Sequence, residues 1–167
     1  MQTTITLYSL NYRESKTYLF ASLFVVGNLL LPQICHLFPL GGSIWLPIYF
    51  FTLIGAYKYG WRVGILTALF SPLVNNTLFG MPNMEMLPII LIKSTLLAFI
   101  ASYTAAKFQK ISLPLIAGVV VSYQILGGLA EWLVVNSFHT AIQDFRLGLP
   151  GMALQILGGW TIIRWIK

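Results

Sequence analysis

Residues 41–82 read GGSIWLPIYFFTLIGAYKYGWRVGILTALFSPLVNNTLFGMP, and this stretch decides how the chain folds. It contains two apolar segments joined by a short turn with two basic residues. The second segment is interrupted by Ser71-Pro72 and then by Asn75-Asn76. An unsatisfied polar group is costly in hydrocarbon, so paired amides persist there only where they face protein or a water-filled cavity. We therefore expect a membrane protein with a polar site near these asparagines.

Composition indicates that the whole chain belongs to a membrane. Of its 167 residues, 57% are hydrophobic and only 8% are charged, against roughly 25% charged in an average soluble domain. The net charge of +6 is carried by basic residues that stand singly or in pairs at the ends of apolar runs. This distribution suits a lipid bilayer as partner and not nucleic acid, which would require a basic stripe. The single cysteine, Cys35, excludes an intrachain disulfide.

The apolar runs predict an all-α integral membrane protein, a compact bundle of six transmembrane helices, at about 20 residues per crossing. Residues 1–16 are expected to form a cytoplasmic N-terminal tail, and residues 17–167 a single transmembrane domain. Prolines open four of the spans, because a proline in the first turn sacrifices no helical hydrogen bond. Pro32 and Pro72 lie inside spans and should kink them. The spans are expected at residues 17–38, 45–57, 61–79, 87–107, 113–136 and 150–165.

The basic residues predict the orientation. With a cytoplasmic N-terminus, eight of the ten fall on the inner side, Arg146 lies outside, and Lys93 lies within a span. Such sorting is the positive-inside pattern. We therefore expect a multi-pass protein of the cell (inner, cytoplasmic) membrane with both termini in the cytoplasm. The eight inner residues are Arg13, Lys16, Lys58, Arg62, Lys107, Lys110, Arg164 and Lys167.

Under this orientation the polar residues inside the spans gather in the outer half of the bundle, and the inner half is almost entirely apolar. A channel needs a polar lining along its whole length, so this asymmetry favours a pocket that opens to the outside. The residues concerned are Gln33, His36, Asn75, Asn76, Lys93, Glu131 and Gln155.

One face of the fifth predicted span carries Gln124, Gly127, Gly128 and Glu131 at helical spacing. Glycines in this position either leave a hollow where a ligand approaches the backbone or let two helices pack closely. Both interpretations are open at this stage.

Lys93 and Glu131 carry opposite charges inside two consecutive spans. A charge at the centre of a span costs ~2.5–3.5 kcal/mol on insertion scales, so each needs a partner. At ~1.5 Å per residue, both lie about 7–10 Å below the outer ends of their helices. We expect them to meet, either as a structural ion pair or as groups that hold a polar or zwitterionic ligand.

The sequence contains no motif for nucleotide, catalytic or metal chemistry. It has no GxxxxGK(S/T), so the chain is not expected to use ATP by itself. It has no HExxH or GxSxG, and Cys35, His36 and His139 lack the spacing of a metal site. We therefore expect no enzyme, no metal and no cofactor.

Residues 46–82 resemble the substrate-binding S components of energy-coupling factor (ECF) vitamin transporters. The resemblance is specific over about residues 38–107 and architectural beyond them, where six spans and an inner N-terminus agree. Its motifs are Leu46-Pro47 at the start of the second span, Gly55 and Gly60 at the turn, Ser71-Pro72, and Gly80-Met81-Pro82.

The resemblance implies that the chain captures a small vitamin-like micronutrient in an outward pocket. It also implies partners, namely a membrane scaffold subunit and two ATPase subunits, onto which S components dock for ATP-driven uptake. S components often carry an Ala-x-x-x-Ala docking pattern on the first span. Here that span offers only Ala21, Ser22 and Gly27, and the pattern occurs as Ala101 and Ala105 on the fourth span.

The resemblance further implies a set of pocket residues and a lid formed by the 38–46 loop. Two of the residues, Trp45 and Trp132, also suit the membrane interface, where tryptophan is enriched. The predicted substrate-binding residues are His36, Trp45, Asn75, Asn76, Lys93, Glu131, Trp132 and Gln155.

Two other classes are considered. A structural membrane protein of the rod-shape-determining MreD type would need no polar pocket. An integral-membrane enzyme would need a sharper catalytic constellation than the sequence offers. The substrate itself is not readable, since aromatic rings and mixed charges suit vitamins, vitamin precursors and modified bases equally.

Overall fold

The computed structural model describes residues 7–166, except for the side chains of residues 138, 140, 143 and 144. This part of the chain is a bundle of helices, which confirms the predicted helical fold. A 3-10 turn, Pro47–Tyr49, leads into the third helix. The helices are α1 Ser15–Cys35, α2 Gly41–Trp45, α3 Phe50–Tyr59, α4 Trp61–Phe79, α5 Leu87–Phe108, α6 Leu113–Val135, α7 Phe138–Ala141, α8 Gln143–Leu147 and α9 Leu149–Trp165.

Three of these helices, α1, α5 and α6, are long and apolar enough to cross a membrane, with 21, 22 and 23 residues and mean hydropathies of 1.7, 1.7 and 1.8. Their outward faces carry large apolar side chains: Leu19, Leu23 and Leu30 on α1 are 61–66% exposed. Such a surface is suited to lipid. The chain is therefore a membrane protein with at least these candidate spans in its described part.

Helix α3 differs from the span expected at residues 45–57. It begins at Phe50 and ends at Tyr59, and nine of its ten residues are buried. Together with the preceding 3-10 turn it extends roughly 20 Å, short of the ~30 Å hydrocarbon core. It is the central element of the bundle, enclosed by its neighbours. The loop expected at residues 39–43 contains the start of α2.

Small residues let α3, α4 and α5 approach closely. A Cβ added to Gly64 of α4 would lie 2.5 Å from the Cβ of Ala56 and 3.2 Å from that of Ala98. On α5, Ala101 and Ala105 are also buried, with exposures of 0% and 4%. The Ala-x-x-x-Ala pattern of α5 therefore packs inside the bundle and is not part of an exposed surface.

The glycines of α6 and α9 also lie against side chains. A Cβ at Gly127 would be 2.6 Å from Cγ of Lys93, and a Cβ at Gly159 would be 3.0 Å from Leu53. Of the two interpretations of the glycine face, the geometry supports close packing. The hollow at Gly127 is filled by the aliphatic stem of Lys93.

The N-terminal segment packs against the end of the bundle where α3 turns into α4. The amide of Tyr8 donates to the carbonyl of Lys58 at 2.9 Å, and Arg62 donates to the carbonyl of Leu10 at 3.3 Å. The hydroxyl of Tyr57 donates to the carbonyl of Lys110 at 2.8 Å. These contacts bring Lys58, Arg62 and Lys110 to the same end of the bundle. We call this the basic end, and the opposite end the pocket end.

Candidate functional site

A cavity of about 380 Å³ lies at the pocket end, between α1, α2, the 80–86 loop, α5 and α6. Its volume is near the lower end of the ~300–1,000 Å³ typical of small-molecule sites. Apolar side chains such as Pro47, Ile48 and Ile89 form part of its wall. Polar wall residues are Gln33, His36, Ser43, Tyr49, Asn75, Asn83, Lys93 and Glu131. We call this cavity the pocket.

Lys93 and Glu131 meet on the pocket wall, as their matching depth predicts. Nζ of Lys93 donates to Oε2 of Glu131 at 2.5 Å, and the two side chains are only 2% and 5% exposed. The expected pairing of the two charges is confirmed. In so little water the interaction is weakly screened, and separating the charges would be costly.

Asn28 is the centre of a buried hydrogen-bond network that the sequence analysis missed. Its Nδ2 donates to Oγ1 of Thr52 and to Oγ of Ser71, both at 3.1 Å. Its Oδ1 accepts the amide of Phe51 at 3.1 Å. That amide belongs to the first turn of α3, where backbone N–H groups lack partners within the helix. Asn28 on α1 therefore caps α3 from a neighbouring helix.

Asn75 connects this network to the pocket. Its Nδ2 donates to the backbone carbonyl of Asn28 at 2.8 Å, which sets the orientation of the amide. Its Oδ1 is buried and has no hydrogen-bond partner, and the same is true of Nε2 of Gln33. Leaving such an atom unpaired costs ~1–3 kcal/mol. Both residues line the pocket, so a ligand that reaches these atoms after a small side-chain movement would recover this free energy.

Asn76 is not among the residues of the pocket wall, and its contact with a ligand stays a prediction. Its Nδ2 donates to the carbonyl of Pro82 at 2.7 Å. Helix α4 ends at Gly80 in the left-handed conformation, with φ of 68°. Asn76 therefore holds the 80–83 loop, and this loop forms part of the wall.

Helix α2 covers one side of the pocket, within the loop expected to be a lid. It is flanked by Leu40 and Leu46, whose φ angles of 58° and 46° are unusual for leucine. A Cβ at Gly41 would lie 1.8 Å from the carbonyl oxygen of Cys35, and one at Gly151 would lie 2.5 Å from that of Trp45. Only glycine permits these approaches, so α2 is seated tightly against α1 and α9.

Gln155 is buried and is likewise not among the residues of the pocket wall. Its Nε2 donates to the carbonyl of Leu46 at 3.4 Å, and its Oε1 accepts the hydroxyl of Tyr123 at 2.9 Å. The ring of Tyr123 in turn contacts Tyr49, a wall residue, with ring centroids 5.5 Å apart. Gln155 therefore ties α9 and α6 to the end of α2.

The two predicted tryptophans also lie off the pocket wall. Trp45 and Trp132 are 37% and 45% exposed, which suits the membrane interface. Of the eight predicted residues, the structure brings four together on the wall: His36, Asn75, Lys93 and Glu131. Gln33, Tyr49 and Asn83 were not among the predicted residues and join them there.

A second cavity, of about 390 Å³, lies at the basic end, lined by aromatic residues such as Tyr8, Trp61 and Tyr103. No charged side chain is among its described wall residues. Across the described chain, no group of three His, Cys, Asp or Glu residues is arranged to hold a metal ion. The pocket with the buried ion pair is therefore the stronger candidate site.

Comparisons of the chain with protein-family models, with curated proteins and with solved structures found no match. The resemblance to S components accordingly depends on the sequence of about residues 38–107 and on the expected six-span architecture.

Proposed function

We propose that this chain is the substrate-specific subunit of an ECF-type importer, which captures a small vitamin-like micronutrient in the pocket. In this proposal a membrane scaffold subunit and two ATPase subunits drive the uptake. The observation that carries the proposal is the pocket itself: a cavity of small-molecule size that holds a buried ion pair and unpaired amide atoms. A purely structural membrane protein of the MreD type has no need of such a cavity.

The core beyond the pocket supports binding over conduction. Between the pocket and the basic end lie fully buried apolar side chains, among them Leu53, Ile54 and Leu97. Conduction of a polar solute would require polar groups along the path. A pocket that ends on such a core can hold a ligand but offers it no route across the membrane. Release on the other side then needs a conformational change driven by partners.

We further propose six crossings, with both termini in the cytoplasm and the pocket facing outward. Lys58, Arg62 and Lys110 share the basic end, as the positive-inside pattern requires of a cytoplasmic side. The short, enclosed α3 then counts as a crossing through protein, and α4 and α9 complete the six.

The orientation has a direct test. Cys35 is replaced, and single cysteines are placed at Ser43, Asn83 or Gln109 for labelling of intact cells with an impermeant thiol reagent. Residues 43 and 83 lie at the pocket end and should be labelled, whereas residue 109 at the basic end should be protected until the cells are opened. Labelling at 109 with protection at 43 would mean that the orientation is inverted.

The importer proposal predicts a specific assembly. The tagged chain, purified in mild detergent from its native membranes, should bring with it one membrane subunit and two nucleotide-binding subunits, and the complex should hydrolyse ATP. The chain purified alone should show no ATP hydrolysis, because its sequence has no P-loop. Copurification with cell-wall or cell-shape proteins, without ATPase subunits, would instead favour the MreD-like alternative.

Because Ala101 and Ala105 are buried, we do not expect α5 to provide the docking face through them.

A further inference from the structure

We infer that the pocket selects a small molecule of zero net charge, with an apolar body and one amide-like edge that both donates and accepts a hydrogen bond. The inference rests on the proposed function, since it requires that the pocket binds a small molecule. It goes further by naming the chemical class of that molecule from the charges, polar atoms and apolar surfaces of the wall.

The charges on the wall cancel. Lys93 and Glu131 contribute one positive and one negative charge, 2.5 Å apart and almost fully buried. An anionic ligand drawn to Lys93 would meet Glu131 at nearly the same distance, and a cation drawn to Glu131 would meet Lys93. A net charge on the ligand would therefore remain uncompensated in a poorly solvated site, which is unfavourable. His36 also lines the wall but is solvent-exposed, and water screens a charge at such a position.

The unpaired polar atoms of the wall define the edge of the ligand. Oδ1 of Asn75 can only accept a hydrogen bond, and its orientation is set by the bond from Nδ2 to Asn28. Nε2 of Gln33 can only donate. A carboxylate could not satisfy Asn75, whose orientation is fixed, and an ammonium group would bring a charge that the wall leaves uncompensated. An amide, lactam or urea group carries the donor and the acceptor together without a charge.

The remaining wall defines the body of the ligand. Pro32, Pro47, Ile48, Ile89 and Ile90 present apolar surface to the cavity. This surface favours a ring or a short chain over a sugar, whose hydroxyl groups would go unpaired against it. The volume of about 380 Å³ limits the molecule to the small end of the range for such sites.

The test uses the purified full-length chain in detergent and a small-molecule extract of cultured bacteria. Ion exchange at neutral pH divides the extract into an anionic, a cationic and an unretained pool. The unretained pool should raise the Tm of the chain by roughly 5 °C or more at saturation. The two charged pools should leave the Tm unchanged.

Two matched variants test the amide edge. Gln33→Met removes the donor but keeps an unbranched side chain, and should weaken the response to the unretained pool roughly tenfold, the effect of one lost hydrogen bond. Gln109→Met makes the same change at the basic end, far from the pocket, where the amide donates to the carbonyl of Ala106, and should respond like the unaltered chain. An equal response of both variants would overturn the amide-like edge.

The outcomes separate this inference from the function on which it rests. Stabilisation by the anionic or the cationic pool alone would overturn zero net charge while leaving the pocket a binding site. Stabilisation by none of the pools would contradict the binding function itself, and the inference with it.

Discussion

Replacing either Lys93 by Met or Glu131 by Gln should lower the free energy of unfolding by about 3–5 kcal/mol, because each change leaves the other group buried without its partner. The two side chains are 2% and 5% exposed, so water cannot take the place of the missing group. For a chain of this size the loss corresponds to a fall in Tm of roughly 6–20 °C. Thermal unfolding in detergent measures it.

Lys107→Met is the matched control on the same helix. Lys107 is exposed, and its Nζ lies 5.7 Å from the ring centroid of Tyr103. Losing an exposed cation–π contact costs only ~0.5–1 kcal/mol. If Lys93→Met and Glu131→Gln prove as mild as this control, the two buried charges are not energetically coupled.

A double variant separates a structural from a binding role for the pair. Lys93→Met with Glu131→Met removes both charges. Met at position 93 keeps an unbranched aliphatic chain, which still fills the hollow at Gly127. Replacing a whole buried pair by apolar residues is often neutral or stabilising, so we expect stability to recover. If the pair contacts the ligand, the Tm response to the unretained pool should weaken more than ~10-fold, about 1.4 kcal/mol. A stable double variant with a normal response would assign the pair to structure alone.

The sequence predicted the charged pair because two independent arguments apply to the same two residues. The cost of a charge in hydrocarbon required a partner for each residue, and counting along the helices gave the same depth for both. Asn75 was found by a similar argument from its polar amide in an apolar segment. In both cases the free energy of burial alone restricts where the residue can lie.

The same reasoning did not foresee that Gln155 and Asn76 lie off the pocket wall, and the reason is physical. Hydropathy and residue counting give the depth of a side chain, but not the direction in which it points around the helix axis. Gln155 has the expected depth yet faces Tyr123 and the carbonyl of Leu46, and Asn76 faces the carbonyl of Pro82. Two of these partners are backbone carbonyls in irregular turns, Leu46 and Pro82, and no sequence pattern predicts them.

The sequence also could not show that α3 is a short helix enclosed by protein. Its residues are as apolar as those of a lipid-facing span, and only the packing of α1, α4 and α5 around it distinguishes the two. Asn28 was the residue of the sequence that could have indicated a buried helix next to α1. A lone asparagine in the middle of an apolar helix needs buried partners as much as Asn75 does, and the start of a central helix supplies one such partner.

Asn28→Leu is the second change for which we expect a large effect, a loss of about 3 kcal/mol in the free energy of unfolding. The substitution keeps a side chain of similar shape but removes three hydrogen bonds. The hydroxyl of Ser71 can turn to a carbonyl of its own helix, and that of Thr52 to a carbonyl of the preceding 3-10 turn, so they recover part of the loss. The amide of Phe51 cannot turn in this way, because it is part of the backbone in the first turn of α3, and its acceptor is Oδ1 of Asn28. Most of the cost is therefore that of one buried, unpaired N–H, ~1–3 kcal/mol.

Two further variants show which hydrogen bond accounts for the loss in the free energy of unfolding. Thr52→Val removes one hydroxyl of the network while leaving the cap of α3 intact, and should cost only about 1 kcal/mol. Ser22→Ala, at an exposed position on the same helix as Asn28, should change stability by no more than ~0.5 kcal/mol. Hydrogen exchange at the amide of Phe51 should accelerate in Asn28→Leu and stay slow in Thr52→Val, because only the first variant removes its acceptor. An Asn28→Leu protein with the stability of Ser22→Ala and a protected Phe51 amide would show that α3 is held in place by packing and not by this cap.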